Sequence, residues 1–177
     1  CKAFFITNVL GFTGDLPKLI KEAKKHNILI LEDNCESLGT ELHEGKAGNF
    51  SHGSSFSFFV AHHMSTIEGG MVCTDDYEFA EMLRIVRANG WDRNLEDHRK
   101  IHWRQKHGVE SEFYSKYTFF DLAYNLRPTE ITGFLGLQQL PHLNKIISSR
   151  QKTFKRIYKH ILKNDDFIKL DFGHLKT

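Results

Sequence analysis

Ile28-Leu29-Ile30-Leu31-Glu32-Asp33-Asn34-Cys35-Glu36-Ser37 is the stretch that decides the fold. Four apolar residues in a row suit a parallel strand buried on both faces, because such a strand has no solvent side to alternate toward. The run then switches abruptly to acidic and polar residues, which puts a carboxylate at the C-terminal end of the strand. Open α/β sheets hold their ligands at that edge, although a capped loop would read the same way. Working backward, Asp15 is a good helix N-cap. Leu16, Leu19, Ile20 and Ala23 follow on one helical face, opposite Lys18, Lys21, Glu22, Lys24 and Lys25. Before that helix, residues 3–9 form a short apolar run closed by the turn-rich Leu10-Gly11-Phe12-Thr13-Gly14. Strand, helix, strand is a βαβ unit with an expected right-handed crossover, and the fold class is α/β.

Working forward, residues 38–53 carry glycines at 39, 45, 48 and 53 and read as a loop or small hairpin. Then comes Ser55-Phe56-Ser57-Phe58-Phe59-Val60-Ala61-His62-His63-Met64-Ser65-Thr66-Ile67-Glu68-Gly69-Gly70. Its aromatic run is strand-like and stops at two adjacent histidines, and Met71-Val72-Cys73-Thr74 reads as a further strand. On spacing alone this is equally a strand-turn-strand with two solvated loop histidines. Asp75 or Asp76 caps a helix whose inner face is Phe79, Met82, Leu83 and Val86, closed by Asn89-Gly90. Residues 91–120 mix charges and aromatics without periodicity and are expected to be irregular, covering a site or an interface. Tyr124-Asn125-Leu126-Arg127-Pro128 leads into a helix faced by Ile131, Leu135 and Leu137 to Leu140, with Gly133 and Gly136 allowing close packing. Pro141 starts a long basic helix ending near Lys163, and residues 167–172 begin a further strand.

Composition narrows the function classes. The 177 residues are 40% hydrophobic and 26% charged, as in a globular domain, with a net charge of only +2. No basic tract is long enough to track a phosphate backbone, so nucleic acid is not an expected partner. No apolar segment is long enough to span a membrane. Cys1, Cys35 and Cys73 are too few and too scattered for a disulfide framework or a metal knuckle, which points to a reducing, cytoplasmic setting. A chain that begins at Cys1 and enters a strand at once is expected to be a piece of a longer protein.

Three blocks, in order, carry a resemblance. They are Ile30-Leu31-Glu32-Asp33-Asn34-Cys35-Glu36-Ser37-Leu38-Gly39, then Phe56-Ser57-Phe58-Phe59-Val60-Ala61-His62-His63 with Glu68-Gly69-Gly70, then Tyr124-Asn125-Leu126-Arg127-Pro128-Thr129-Glu130. Together they resemble the DegT/DnrJ/EryC1/StrS sugar aminotransferase family over roughly residues 1–165. The resemblance implies the aspartate-aminotransferase-like fold (PLP fold type I), with a mostly parallel sheet flanked by helices. It assigns residues 1–140 to the second half of the cofactor-binding large domain, and residues 141–177 to a long helix and the start of a small C-terminal domain. It also implies pyridoxal 5'-phosphate and pyridoxamine 5'-phosphate as cofactor forms.

One departure redirects the expected chemistry. Family aminotransferases carry a lysine at the position of His62, and that lysine forms the Schiff base. The histidine-containing subgroup instead removes the C3 hydroxyl of a nucleotide-linked 4-keto-6-deoxy sugar. The chain looks most like the members acting on GDP-4-keto-6-deoxy-D-mannose. A sister branch relies on an iron–sulfur cluster, and three scattered thiols cannot build a four-cysteine cluster.

By the same resemblance, Asp33 pairs with the protonated pyridine nitrogen and Ser57 binds the cofactor phosphate. Glu36 stands near the ring hydroxyl, or else is a solvated loop acid. Asn125 reaches across a homodimer interface to the neighbouring subunit's phosphate. His62 is the catalytic acid/base, since an imidazole with an ordinary pKa near ~6.5 both accepts and donates protons around neutrality. L-glutamate is the expected amino donor that regenerates pyridoxamine phosphate, and ammonia and a 3-deoxy sugar are the expected products. His63, on a strand-like backbone, would point away from His62 and act as support. A metal at His62, His63 and Glu68 is disfavoured, because adjacent histidines lack a converging spacing. The remaining alternatives are a nucleotide-sugar aminotransferase and a cofactor-binding or regulatory module that has lost catalysis.

Overall fold

The computed structural model describes residues 1–176. The chain forms two compact units, one of Cys1–Cys73 with Glu130–Thr177 and the other of Thr74–Thr129. In the first unit, β1 (Ala3–Thr7) leads through a 3-10 turn at Val9–Gly11 into α1 (Leu16–Lys25) and then β2 (Leu29–Asp33). Asp15 caps α1 as expected, its carboxylate accepting the Lys18 N–H at 3.1 Å. A two-residue hairpin, β3 (Glu41–Leu42) with β4 (Gly45–Lys46), precedes β5 (Gly53–Ser57) and β6 (Gly70–Cys73). The sheet order is β1-β2-β5-β6, with the first three strands parallel and β6 antiparallel to β5. The βαβ reading is therefore correct.

Two details of that reading change. β2 does not end at its acidic switch: Glu32 and Asp33 are strand residues. Nor is it buried on both faces, for Leu29 is 51% exposed while Ile30 and Glu32 are fully enclosed. Strand alternation explains this, since Ile30 and Glu32 share one face and Leu29, Leu31 and Asp33 the other. The unit's main core is Leu16, Leu42, Ala47 and Leu175, joined by Ile6, Phe12, Phe50 and Phe172. Glu32 is held by Asn8 Nδ2 at 3.2 Å and the Gly48 N–H at 2.9 Å. A buried carboxyl group costs free energy unless such donors satisfy it.

The second unit is helical. α2 (Tyr77–Val86) is capped by Asp76, and its fully buried positions are Glu81 and Ile85, with Met82 packed beside them. Residues 91–120 are not irregular, for they contain α3 (Asp97–Lys106) and α4 (Glu112–Ser115). α3 was unreadable because it buries only Trp103, leaving no apolar stripe to detect. Glu81 takes a bidentate pair of bonds from Arg99 at 2.6 and 2.7 Å and a third from Trp103 Nε1 at 3.0 Å. That cluster ties α2 to α3.

The chain returns to the first unit with α5 (Glu130–Gln139), a 3-10 turn at Leu140–His142, and α6 (Leu143–Ile161). None of the expected apolar positions of α5 is buried in this chain. No strand forms at residues 167–172. Instead Phe172 stacks on Phe12 at 4.5 Å, and Tyr158 of α6 donates to the Leu170 carbonyl at 2.7 Å. Aromatic packing onto the core replaces a sheet ladder. Gly39 lets α6 approach the loop after β2: at φ +89° its absent Cβ would lie 2.2 Å from Ile147 Cδ1.

Candidate functional site

Three side chains share the open face of the sheet at its C-terminal edge. The register sets Asp33 of β2 directly opposite Ser55 of β5, and Ser57 is two residues further along the same face. Ser55 Oγ donates to Asp33 Oδ1 at 2.9 Å, and the Cys35 N–H reaches the same oxygen at 3.1 Å. Asp33 Oδ2 has no hydrogen-bond partner among the described residues. One oxygen is thus fixed by the protein while the other is free to accept from a ligand. Burial first, then the Asp33 carboxylate, holds the Cys35 thiol above its ordinary range, so it stays protonated.

Beyond Ser57 the strand stops earlier than the sequence suggested. Phe58 to Gly69 form a loop, stitched by Phe58 N–H to the Gly69 carbonyl (2.9 Å) and Thr66 N–H to the Phe58 carbonyl (2.8 Å). Buried Met64 and Thr66 anchor it, and Gly136 brings α5 to 3.4 Å from the Thr66 methyl, measured from an ideal Cβ. Ser57 Oγ accepts the Phe59 N–H at 3.3 Å, which leaves its own hydroxyl proton for an anion. His62 is half-buried in this loop and sits edge-on to Phe59.

His63 departs from expectation. The backbone at this point is a bend, so strand alternation does not apply and the ring turns inward. Its Nδ1 is enclosed and without a hydrogen-bond partner among the described residues. Burial, then Arg150 of α6 and His62, push His63 down to about 4, against a smaller upward pull from Glu36. At neutral pH it is an uncharged neighbour of His62. Glu36 is partly buried, and its Oε2 accepts the Leu10 N–H at 2.8 Å, which ties the loop after β1 to the loop after β2.

Asn125 lies in the second unit. It forms an isolated antiparallel bridge with Ala88, its Oδ1 accepts from Arg127 Nε at 3.0 Å, and the residue is exposed. Sequence reasoning missed Ser55 and the enclosed Glu32, whose partners Asn8 and Gly48 are distant in the chain. Only pairing β2 with β5 reveals that Ser55 faces Asp33. Among the described residues no three His, Cys, Asp or Glu side chains cluster closely enough to hold a metal ion, and no helix is long and apolar enough to cross a membrane.

The arrangement suits a flat cationic heteroaromatic group bearing a phosphate. A carboxylate oxygen and a hydroxyl lie on one face of the sheet edge, and a half-buried imidazole lies in the loop that follows β5. Over residues 1–174 the chain matches the DegT/DnrJ/EryC1/StrS aminotransferase family. It is 36% identical over 167 residues to GDP-4-keto-6-deoxy-D-mannose 3-dehydratase of Yersinia pseudotuberculosis, covering 94% of this chain and 42% of that protein. Among solved structures, the E. coli GDP-4-keto-6-deoxy-D-mannose-3-dehydratase with bound hydrated PLP superposes with a TM-score of 0.80 at 35% identity, covering 95% of this chain and 42% of that one. A GDP-4-keto-6-deoxymannose-3-dehydratase structure with a trapped PLP-glutamate geminal diamine superposes with a TM-score of 0.69 at 35% identity, covering 81% of this chain and 36% of that one. This chain therefore spans less than half the length of the relatives that it matches.

Proposed function

This chain belongs to the DegT/DnrJ/EryC1/StrS aminotransferase family, and from that membership we propose that its protein is a pyridoxal-phosphate-dependent nucleotide-sugar 3-dehydratase. Its substrate would be GDP-4-keto-6-deoxymannose, with L-glutamate as amino donor. The observation that carries the reading is His62, a half-buried imidazole in the loop after β5 where family aminotransferases have their lysine. A histidine cannot tether the cofactor as lysine does, but it can move protons.

Bound pyridoxamine phosphate would supply the amino group that engages the sugar's C4 ketone and the electron sink for breaking the C3–O bond. Asp33 holds the positive charge on the pyridine nitrogen through its free Oδ2. Ser57 donates its hydroxyl proton to the phosphate, and Glu36 borders the ring hydroxyl. His62 would be the group that takes up the proton released at the cofactor and returns a proton to the departing hydroxyl. His63, uncharged, gives His62 a neighbour that does not compete for protons. Asn125 acts from the second subunit of a homodimer. Its exposed amide, with Oδ1 already engaged by Arg127, leaves an N–H to donate. We further place the start of the small C-terminal domain after residue 140, at the helix α6, and the protein in a reducing cytoplasmic compartment, where Cys1, Cys35 and Cys73 stay free.

The test is a product analysis. The full-length protein is incubated with pyridoxal phosphate, L-glutamate and GDP-4-keto-6-deoxymannose, and free ammonia and the sugar product are measured together. Ammonia with a 3-deoxy sugar is expected. An amino sugar without ammonia would make the protein an aminotransferase, and no turnover would make it a binding or regulatory module.

A further inference from the structure

We infer that Ser55 is a positioning residue for Asp33, its hydroxyl locking the carboxylate so that Oδ2 meets the cofactor's pyridinium N–H. The inference rests on the cofactor reading above and names a residue which that reading does not need.

The geometry is specific. Ser55 is the residue paired with Asp33 in the parallel register of β2 and β5, so the two side chains leave the sheet on the same face, side by side. A strand serine ordinarily satisfies its hydroxyl on nearby backbone. Ser54 does so, donating to the Gly48 carbonyl at 2.9 Å. Ser55 instead donates to Asp33 Oδ1 at 2.9 Å, and the Cys35 N–H at 3.1 Å approaches that same oxygen from the following turn. Two donors from two elements on one oxygen fix rotation about the Cβ–Cγ bond. A carboxylate held by only the Cys35 amide could turn about that single bond and lose its aim.

The consequence is chemical as well as structural. A carboxylate oxygen aligned with the N–H favours the protonated pyridine nitrogen most strongly, since charge attraction is then joined by a well-directed hydrogen bond, whose strength falls steeply with angle. Ser55 therefore acts on the electron sink through Asp33 and touches no substrate atom.

The test uses the full-length protein loaded with pyridoxamine phosphate carrying 15N in the ring, at one neutral pH. Wild type, Ser55→Thr and Ser55→Val are compared, with Asp33→Asn as reference. Threonine and valine fill the same volume in a strand and differ only in the hydroxyl. Ser55→Val is expected to raise the cofactor Kd about ten-fold or more, the scale of losing one hydrogen bond to a charged group. Its ring 15N signal should move toward the unprotonated position found in Asp33→Asn, and Ser55→Thr should restore both readouts. A Ser55→Val protein matching wild type in Kd and in 15N shift overturns the inference. A wild-type protein that holds no cofactor, or an Asp33→Asn signal identical to wild type, overturns the cofactor reading and this inference with it.

Discussion

At the scale of single residues, the adjacent histidines have diverged in role. His62 is half-buried beside Phe59, while His63 is turned inward with its Nδ1 enclosed. The His63 imidazole is pushed down to about 4, first by burial and then by Arg150 and His62, whereas an unfolded histidine titrates near ~6.5. The unfolded chain therefore binds more protons than the folded one between those values. Stability attributable to this group is fully present above the unfolded pKa and falls as pH drops toward 4. His63→Gln should flatten the decline of the urea midpoint between about pH 6.5 and 4.5. Parallel declines in the two proteins would mean that His63 is not a buried neutral group. Neither its inward turn nor the partnership of Ser55 with Asp33 was legible in the sequence. Both depend on where β5 stops and which strand it meets, which are tertiary facts.

At the scale of elements, what was legible is what local physics determines. The Asp15 and Asp76 caps and the α1 face follow from neighbours in the chain. So do the hairpin after Gly39 and the run from Tyr124 into α5. What escaped depends on partners far along the chain. Glu32 looks like the end of a strand until Asn8 and Gly48 enclose it. α3 is almost wholly polar, and its place is set by partners outside the helix: Glu81 for Arg99, Asp92 for Arg104, and Ile85 and Leu95 for Trp103. Hydrogen bonds from Arg99, then from Trp103, hold the Glu81 carboxyl below its ordinary range despite the opposing effect of burial. Removing one partner of such an enclosed pair strands the other charge, so Glu81→Gln should cost about 3 kcal/mol in denaturant unfolding. A loss below about 0.5 kcal/mol would show that the cluster is a solvated surface pair. Gly39→Ala tests the approach of α6. It combines a φ of +89° with a Cβ only 2.2 Å from Ile147 Cδ1, so a clear drop in thermal midpoint is expected. An unchanged midpoint would mean that α6 does not press on that loop.

At the scale of the molecule, the sheet edge, the loop after β5 and the family membership converge on one chemistry. The fold and the family were readable from three short blocks, two of which span β2 and β5 with the loops that follow them. In the proposed reading, the histidine at position 62 makes a tethering position into a proton-transfer position. The account stands or falls on that residue. The measurement that tests it most directly is ammonia release by His62→Asn in the full-length protein, with pyridoxal phosphate, L-glutamate and GDP-4-keto-6-deoxymannose, alongside cofactor affinity. The account predicts a loss of turnover of about 10²-fold or more, the scale of a removed general acid–base, with the cofactor Kd little changed. Turnover close to wild type in a variant that still binds cofactor would contradict it, and would assign the proton transfers to another group.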